Sequence, residues 1–179
     1  MPKRSTKKPR KRVRPAAGAT GGGAGGAPVS GGRFTIRPAR QGDIPAVTEL
    51  DASITALAKG PHWQDLLKRS RARQTGHFFL VATASASPDS LLGFIVGEIR
   101  AWEFGSAPCG WVYALGVASG ARGIGVGEAL LDAIAREFGR LGMTKMRTMV
   151  AKQNALPMMF FRAEGMMAGP YIQLEKNLE

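Results

Sequence analysis

The chain has 179 residues, 44% of them apolar, and a formal net charge of +12, which suits one ordinary domain with a real core. No run of about 18 apolar residues occurs, so no membrane span is expected, and no apolar stretch follows the basic N-terminus, so no secretory signal is expected. One cysteine, Cys109, and two histidines, His62 and His77, exclude an internal disulfide, argue against a Cys/His metal site and fit a reducing, cytoplasmic setting.

The charge is unevenly spread. Eight of the 25 basic residues and none of the 13 acids lie in residues 1–32. That segment reads KRSTKKPRKRVRP and then AAGATGGGAGGAPVSGG. A like-charge block followed by a Gly/Ala linker cannot bury a core, so residues 1–32 are expected to be a disordered tail and residues 33–179 the folded domain. The tail reads either as an electrostatic arm for nucleic acid or another polyanion, or as a solvated extension without a partner.

The folded part opens on RFTIRPAR, an alternating strand stopped by a proline. Ile44, Val47, Leu50, Ile54 and Leu57 then follow at helical spacing after Asp43 as a cap. PHWQDLLKRSRARQ predicts a shorter second helix with Pro61 in its first turn, and Lys68, Arg69, Arg71 and Arg73 on a solvated face. HFFLVATA is a strand, SASPDS a turn, and LLGFIVGEIRAW a long strand apolar on both sides, hence central. EFGSAPCG is a loop and WVYALGVA a strand. Residues 125–141 place Ala129, Leu130, Ile134, Phe138 and Leu141 along a helical stripe. KMRTMVA predicts a strand, LPMMFFRAEG a short helix and YIQLEKNL a last strand. Consecutive strands predict antiparallel pairing and strand–helix–strand units parallel pairing. The fold class is therefore α/β with a mixed sheet.

Between the strand at 111–118 and the helix from about 125 lies ARGIGVG. A helix start presents unpaired N–H groups and partial positive charge, and glycines let a ligand approach the backbone closely. Together they suit a phosphate or pyrophosphate. A P-loop would need Lys-Ser or Lys-Thr after the last glycine, where Glu128 stands. The dinucleotide fingerprint would need a glycine where Glu128 or Leu130 stands. A third pattern, Arg/Gln-x-x-Gly-x-Gly/Ala, is met by Arg122-Gly-Ile-Gly125-Val-Gly127. Here the chain resembles the GNAT superfamily of acyl-CoA-dependent N-acetyltransferases. YALGVA precedes the loop at the expected distance, TIRPARQGDIPAVTEL resembles the family's opening strand and helix, and Asn154, Phe161, Gly165 and Met166 fall at the spacing of its second motif. The resemblance covers about 33–179.

The resemblance implies a mostly antiparallel central sheet with a parallel, splayed strand pair, 111–118 beside 145–151, and flanking helices. It implies acetyl-CoA as co-substrate, its pantetheine arm along the backbone of Leu115, Gly116 and Val117. The pyrophosphate would take the N–H groups of Arg122, Gly123, Ile124, Gly125, Val126 and Gly127, with Asn154 and Phe161 on the other side of the arm. Glu128 is expected to point outward. The partner would be a primary amine, a small molecule or a protein lysine, and dimers are common in the family. The alternative is a CoA-binding, nucleic-acid-associated module whose basic tail carries the function.

An alkylamine is largely protonated at neutral pH, so a base or a water it orders would assist its attack on the thioester. The glutamate that many relatives carry near the start of the strand before the loop is missing in Cys109-Gly110-Trp111. Glu98, amid apolar neighbours, is the preferred base, with Glu103 as the wetter candidate. Where relatives place a tyrosine near the CoA sulfur, this chain has Phe161, and Tyr113 is the preferred substitute acid. The backbone N–H of Val117 would receive the developing oxyanion. Trp102 and Trp111 line the acceptor pocket or simply pack, and Cys109 has no acidic or imidazole neighbour in sequence to make it a nucleophile.

Overall fold

The computed structural model describes residues 29–30, 32–72 and 76–178. In chain order the elements are β1 Val29–Ser30, β2 Phe34–Pro38, α1 Ile44–Thr55, α2 Gly60–Arg71, β3 His77–Ala84, β4 Ser87–Arg100, β5 Cys109–Val117, α3 Val126–Arg140, β6 Met146–Arg147 and α4 Ala155–Ala163. The strands form one sheet in the order β1-β2-β3-β4-β5-β6. Every neighbouring pair is antiparallel except β5 and β6, which are parallel. This is the mixed, mostly antiparallel architecture expected.

The sheet is covered on both faces because β3 and β4 are apolar on both. Phe78, Leu80, Ala82 and Ile95 pack towards α3, which supplies Val126, Leu130, Ile134 and Phe138. The alternate residues Phe79, Val81, Phe94 and Val96 pack with Ile44 and Val47 of α1 and Trp63, Leu66 and Leu67 of α2. A strand's side chains alternate between faces, so one continuous apolar run can serve two cores. Asp43 ties the first helix to the sheet: Arg37 of β2 donates to it twice, at 2.7 and 2.8 Å. Burial pushes the Asp43 carboxyl up, but the Arg37 fork and the Arg40 N–H outweigh it and hold the group below the usual carboxylate range. Among the described residues no helix is long and apolar enough to cross a membrane.

The expected elements are corrected at several places. Two of the residues assigned to the tail, Val29 and Ser30, pair with Ile36 and Thr35 of β2, so the sheet begins before residue 33; residues 1–28 and 31 lie outside the described residues. The α1 stripe stops early: Ala56 turns into the left-handed region at φ 58°, Ile54 and Leu57 are exposed, and Asp51 is buried in their stead beside Lys59 at 3.0 Å. The turn SASPDS is largely strand, because β4 already starts at Ser87. The strand expected over 145–151 is only Met146–Arg147. The last strand, YIQLEKNL, does not form; residues 171–178 have no regular structure and are exposed. A strand exists only through its partner's hydrogen bonds, and a two-residue β6 offers almost no edge to pair with.

Candidate active site

The site begins with a bulge. Across β4 and β5, Val96 pairs with Ala114 and Gly97 with Val112, so Tyr113 is an extra residue on β5. Such a bulge bends its strand and re-aims a side chain. On the other side of β5, parallel pairing is limited to Gly110 with Met146 and Trp111 with Arg147. The two strands therefore part immediately after Trp111. Further along, just past the last β4–β5 pair, Gly93 with Val117, the Ala118 N–H donates to the Leu92 carbonyl of β4 at 2.9 Å. Backbone polar groups alternate sides along a strand, so Gly116 also faces β4, while Leu115 and Val117 turn theirs to the edge that β6 has left. Both are half-buried, packed against the core below α3.

That open edge runs into the glycine loop. After a single 3-10 turn at Ser119–Ala121, Gly123 and Gly125 stand at φ +74° and +85°, a region that favours glycine. The first bond of α3 runs from the Ala129 N–H to the Gly125 carbonyl at 3.0 Å. The N–H groups of Val126, Gly127 and Glu128 precede it and have no carbonyl within the helix. Arg122 contributes less than expected, because its N–H already donates to the Ser119 carbonyl at 3.3 Å. Val126 is buried through its side chain, whereas Arg122, Gly123 and Ile124 are exposed. Glu128 is exposed, and its Oε2 lies 4.0 Å from where a Cβ on Gly125 would stand, so the carboxylate borders the loop.

From α4, the ring brought to the loop is that of Phe160. A Cβ on Gly127 would meet Phe160 Cε2 at 3.2 Å and Val117 Cγ2 at 3.7 Å. Phe161, which the motif spacing selects, is instead buried in the core at 8% exposure, its ring edge-on to that of Phe160. Asn154 is exposed at the start of α4, makes no side-chain cap bond, and donates its own N–H to Ala151 at 2.9 Å. The sequence pattern finds the α4 segment but misses which of two adjacent rings faces the loop, since the phase of a nine-residue helix is set by what it packs on.

The catalytic candidates lie on the opposite face of the sheet, beyond the α1/α2 core. Register places His77, Glu98 and Trp111 in one row across β3, β4 and β5. Glu98 is not amid apolar side chains as its sequence neighbours suggest: those neighbours point to the other face. Arg100 Nε donates to Glu98 Oε1 at 2.8 Å, and His77 Nδ1 lies 3.4 Å from Oε2. The Arg100 guanidinium also stacks over the Trp111 ring, 4.8 Å from its centre, and reaches Glu103 at 4.0 Å. Tyr113, on the bulge, is 38% exposed. Burial, and next the Glu98 charge, push its phenol up to about 12, against the opposing pull of Arg69 and Arg100. Tyr113 therefore remains a proton donor at any physiological pH. Arg147 does not reach this row: its Nη1 donates to Ser106 Oγ at 3.1 Å and its guanidinium stacks over the Tyr171 ring. Cys109 is 2% exposed, which removes it from solvent and substrate. Trp102 is 75% exposed with φ 60°.

An open strand edge and a bulged tyrosine thus lie on β5, the strand that leads into a glycine-rich helix start. The sequence profile of the Acetyltransferase (GNAT) family matches residues 44–163. The chain belongs to the GNAT acetyltransferase family. Solved structures agree on the fold. Aminoglycoside N-acetyltransferase AAC(6')-Iy in complex with CoA superposes with a TM-score of 0.70 at 16% identity, over 83% of this chain and 97% of that one. Aminoglycoside antibiotic 6'-N-acetyltransferase AAC(6')-Ih from Acinetobacter baumannii gives 0.67 at 16% identity, over 82% and 99%. A protein described as a transcriptional regulator from Bacillus halodurans C-125 gives 0.68 at 17% identity, over 81% and 99%. Among curated proteins none matches the sequence significantly. At these identities the likeness is one of fold, and one GNAT fold serves differently described proteins, so the acceptor must be argued from the site.

Proposed function

We propose that this GNAT protein transfers an acetyl group from acetyl-CoA to a primary amine by direct attack. The observation that carries the proposal is the edge of β5 at Leu115 and Val117, unpaired among the described residues, which leads through the Ser119–Ala121 turn to the N–H groups of the glycine loop. An amide-bearing arm can hydrogen-bond to such an edge as an added strand does, and a pyrophosphate suits the helix start. Gly123 leaves open space where a side chain would stand, and a Cβ on Gly125 would come within 4.0 Å of Glu128 Oε2, while Phe160 and Val117 wall the first turn of α3. Asn154 is exposed and free to turn towards the arm from the α4 side. When bound, acetyl-CoA supplies an activated carbonyl. The chain's own groups then do three things. The Val117 N–H, turned to the open edge, receives developing negative charge. Glu98, directly or through a water, takes the amine proton. Tyr113, kept protonated, donates towards the departing thiolate.

The acceptor enters on the face that carries Glu98, Tyr113 and Trp111, and is a small amine or a protein lysine. AAC(6')-Iy and the related aminoglycoside enzymes support an amine acceptor. The test is thermal unfolding with acetyl-CoA, followed by thiol release across a panel of small amines and lysine peptides. Acetyl-CoA should raise the melting temperature, and Gly125→Glu should remove that rise by blocking the loop with a repelling charge. No rise at millimolar acetyl-CoA, or no thiol release with any amine of the panel, would sink the proposal. The eight cations of residues 1–32 favour a second role, a salt-sensitive polyanion arm on the same catalytic domain.

A further inference from the structure

We infer that His77 is a positioning residue that controls whether Glu98 can act as a base; the inference rests on the Glu98 reading above. His77 and Glu98 are cross-strand partners on β3 and β4, and both side chains are largely covered, at 26% and 21% exposure. Glu98 Oε1 is occupied by Arg100 at 2.8 Å, which leaves Oε2 as the oxygen available for a proton. His77 Nδ1 lies 3.4 Å from that oxygen. It is within ion-pair reach yet buried without a hydrogen bond among the described residues. A buried ring nitrogen left unpaired is costly, and among the described residues the charged oxygen within ion-pair reach of it is Oε2.

Two states follow from the geometry. A neutral imidazole can orient the carboxylate while leaving it one cationic partner, Arg100. A protonated imidazole closes on Oε2 and places the carboxylate between two cations, where it holds its charge and no longer accepts a proton from the amine. The other groups facing this corner do not reproduce the effect. Arg100 and Glu103 sit beyond Glu98 and pair with each other at 4.0 Å. Trp111 and Tyr113 from β5 are uncharged. Arg69 and Asp65 of α2 neutralise one another at 2.8 Å. A histidine is the side chain whose charge changes across neutral pH, so the corner carries a built-in acid brake.

The test uses the full chain and two readouts. With the most reactive amine of the panel, and rates referred to the unprotonated amine, kcat/KM should fall about tenfold from about pH 8 to about pH 5.5, the span over which an imidazole gains its charge. His77→Gln should fall by less than about threefold over the same span, and His77→Lys, a fixed cation, should be about tenfold below the parent at pH 8. All should keep the acetyl-CoA melting shift. The second readout is NMR of the ring nitrogens of the chain's two histidines, with His77 assigned by its loss in His77→Gln. Its Nδ1 resonance should move in Glu98→Gln, which removes the carboxylate beside it. An unchanged acid limb in His77→Gln, or an unmoved Nδ1 resonance, overturns the inference while leaving Glu98 as base. Normal turnover in Glu98→Gln overturns both. Should His77→Gln not fold, the Nδ1 resonance in Glu98→Gln decides alone.

Discussion

Glu98 and Tyr113 share one charge environment, in which the Glu98 charge adds to burial in raising the Tyr113 phenol. Glu98→Gln removes the proton acceptor and the partner of Arg100, so turnover at neutral pH should fall about 100-fold, the low end for loss of a general base. It should recover at high pH, where the amine is already neutral, with the acetyl-CoA melting shift intact. Equal rates across the pH range would move the role to Glu103 or to an ordered water. Tyr113 gives a spectroscopic check. The chain has two tyrosines, and ultraviolet titration should show one phenol ionising near pH 12 that disappears in Tyr113→Phe. The sign for stability follows. A folded-state value raised above the unfolded one favours the fold fully below about pH 10, and the contribution is lost as pH rises towards 12. Tyr113→Phe should therefore lose less stability than the parent over that window. A phenol ionising near 10 in the folded protein would contradict the burial and the Glu98 contact that raise it.

At the scale of elements, the site exists because β4 and β5 approach more closely than side chains allow. A Cβ on Gly97 would lie 2.6 Å from the Trp111 carbonyl oxygen and 2.9 Å from Ile134 Cδ1. Backbone cannot yield as a side-chain tip can. Gly97→Ala should destabilise by about 1–3 kcal/mol, the usual cost of overpacking, read as a lower denaturation midpoint at unchanged slope. It should also lower affinity for acetyl-CoA, since the strand that must shift carries Tyr113 and the open edge. A neutral substitution would mean that the two strands have slack. The same contact explains a glycine that alternation alone would assign to a plain strand position.

For the whole molecule, charge and fold separate. Eight cations lie in residues 1–32, outside the family match at 44–163. A chain cut to 33–179 should keep its melting shift with acetyl-CoA and its amine turnover. It should lose retention of DNA or RNA on a filter, and for the full chain that retention should fall steeply with salt as released counterions are returned. The cut also removes β1, whose two residues pair with β2, so a small loss of stability is expected alongside. Equal retention by both chains would place any polyanion binding on the folded part, with Lys68, Arg69 and Arg71 the first surface to examine.

Local pattern was sufficient for much of this protein. Alternation and helical spacing marked β2 to β5 and the helices α1 to α4, and Arg122-Gly-Ile-Gly125-Val-Gly127 marked the loop, because strand, helix and turn preferences act over a few neighbouring residues. The ends of elements were not legible in the same way. Residues 145–151 and 171–178 carry strand-like patterns, yet only Met146–Arg147 pairs, since pairing needs a partner edge that no local pattern guarantees. The tertiary structure alone decided which atoms meet at the site. Cross-strand register joins His77 to Glu98 and Trp111, residues distant in the chain. A bulge adds Tyr113 to their face, and the packing phase of α4 sends Phe160 to the loop and Phe161 to the core. Each depends on contacts between segments far apart in sequence, and a one-residue change of strand register would turn His77, Glu98 or Trp111 to the other face of the sheet.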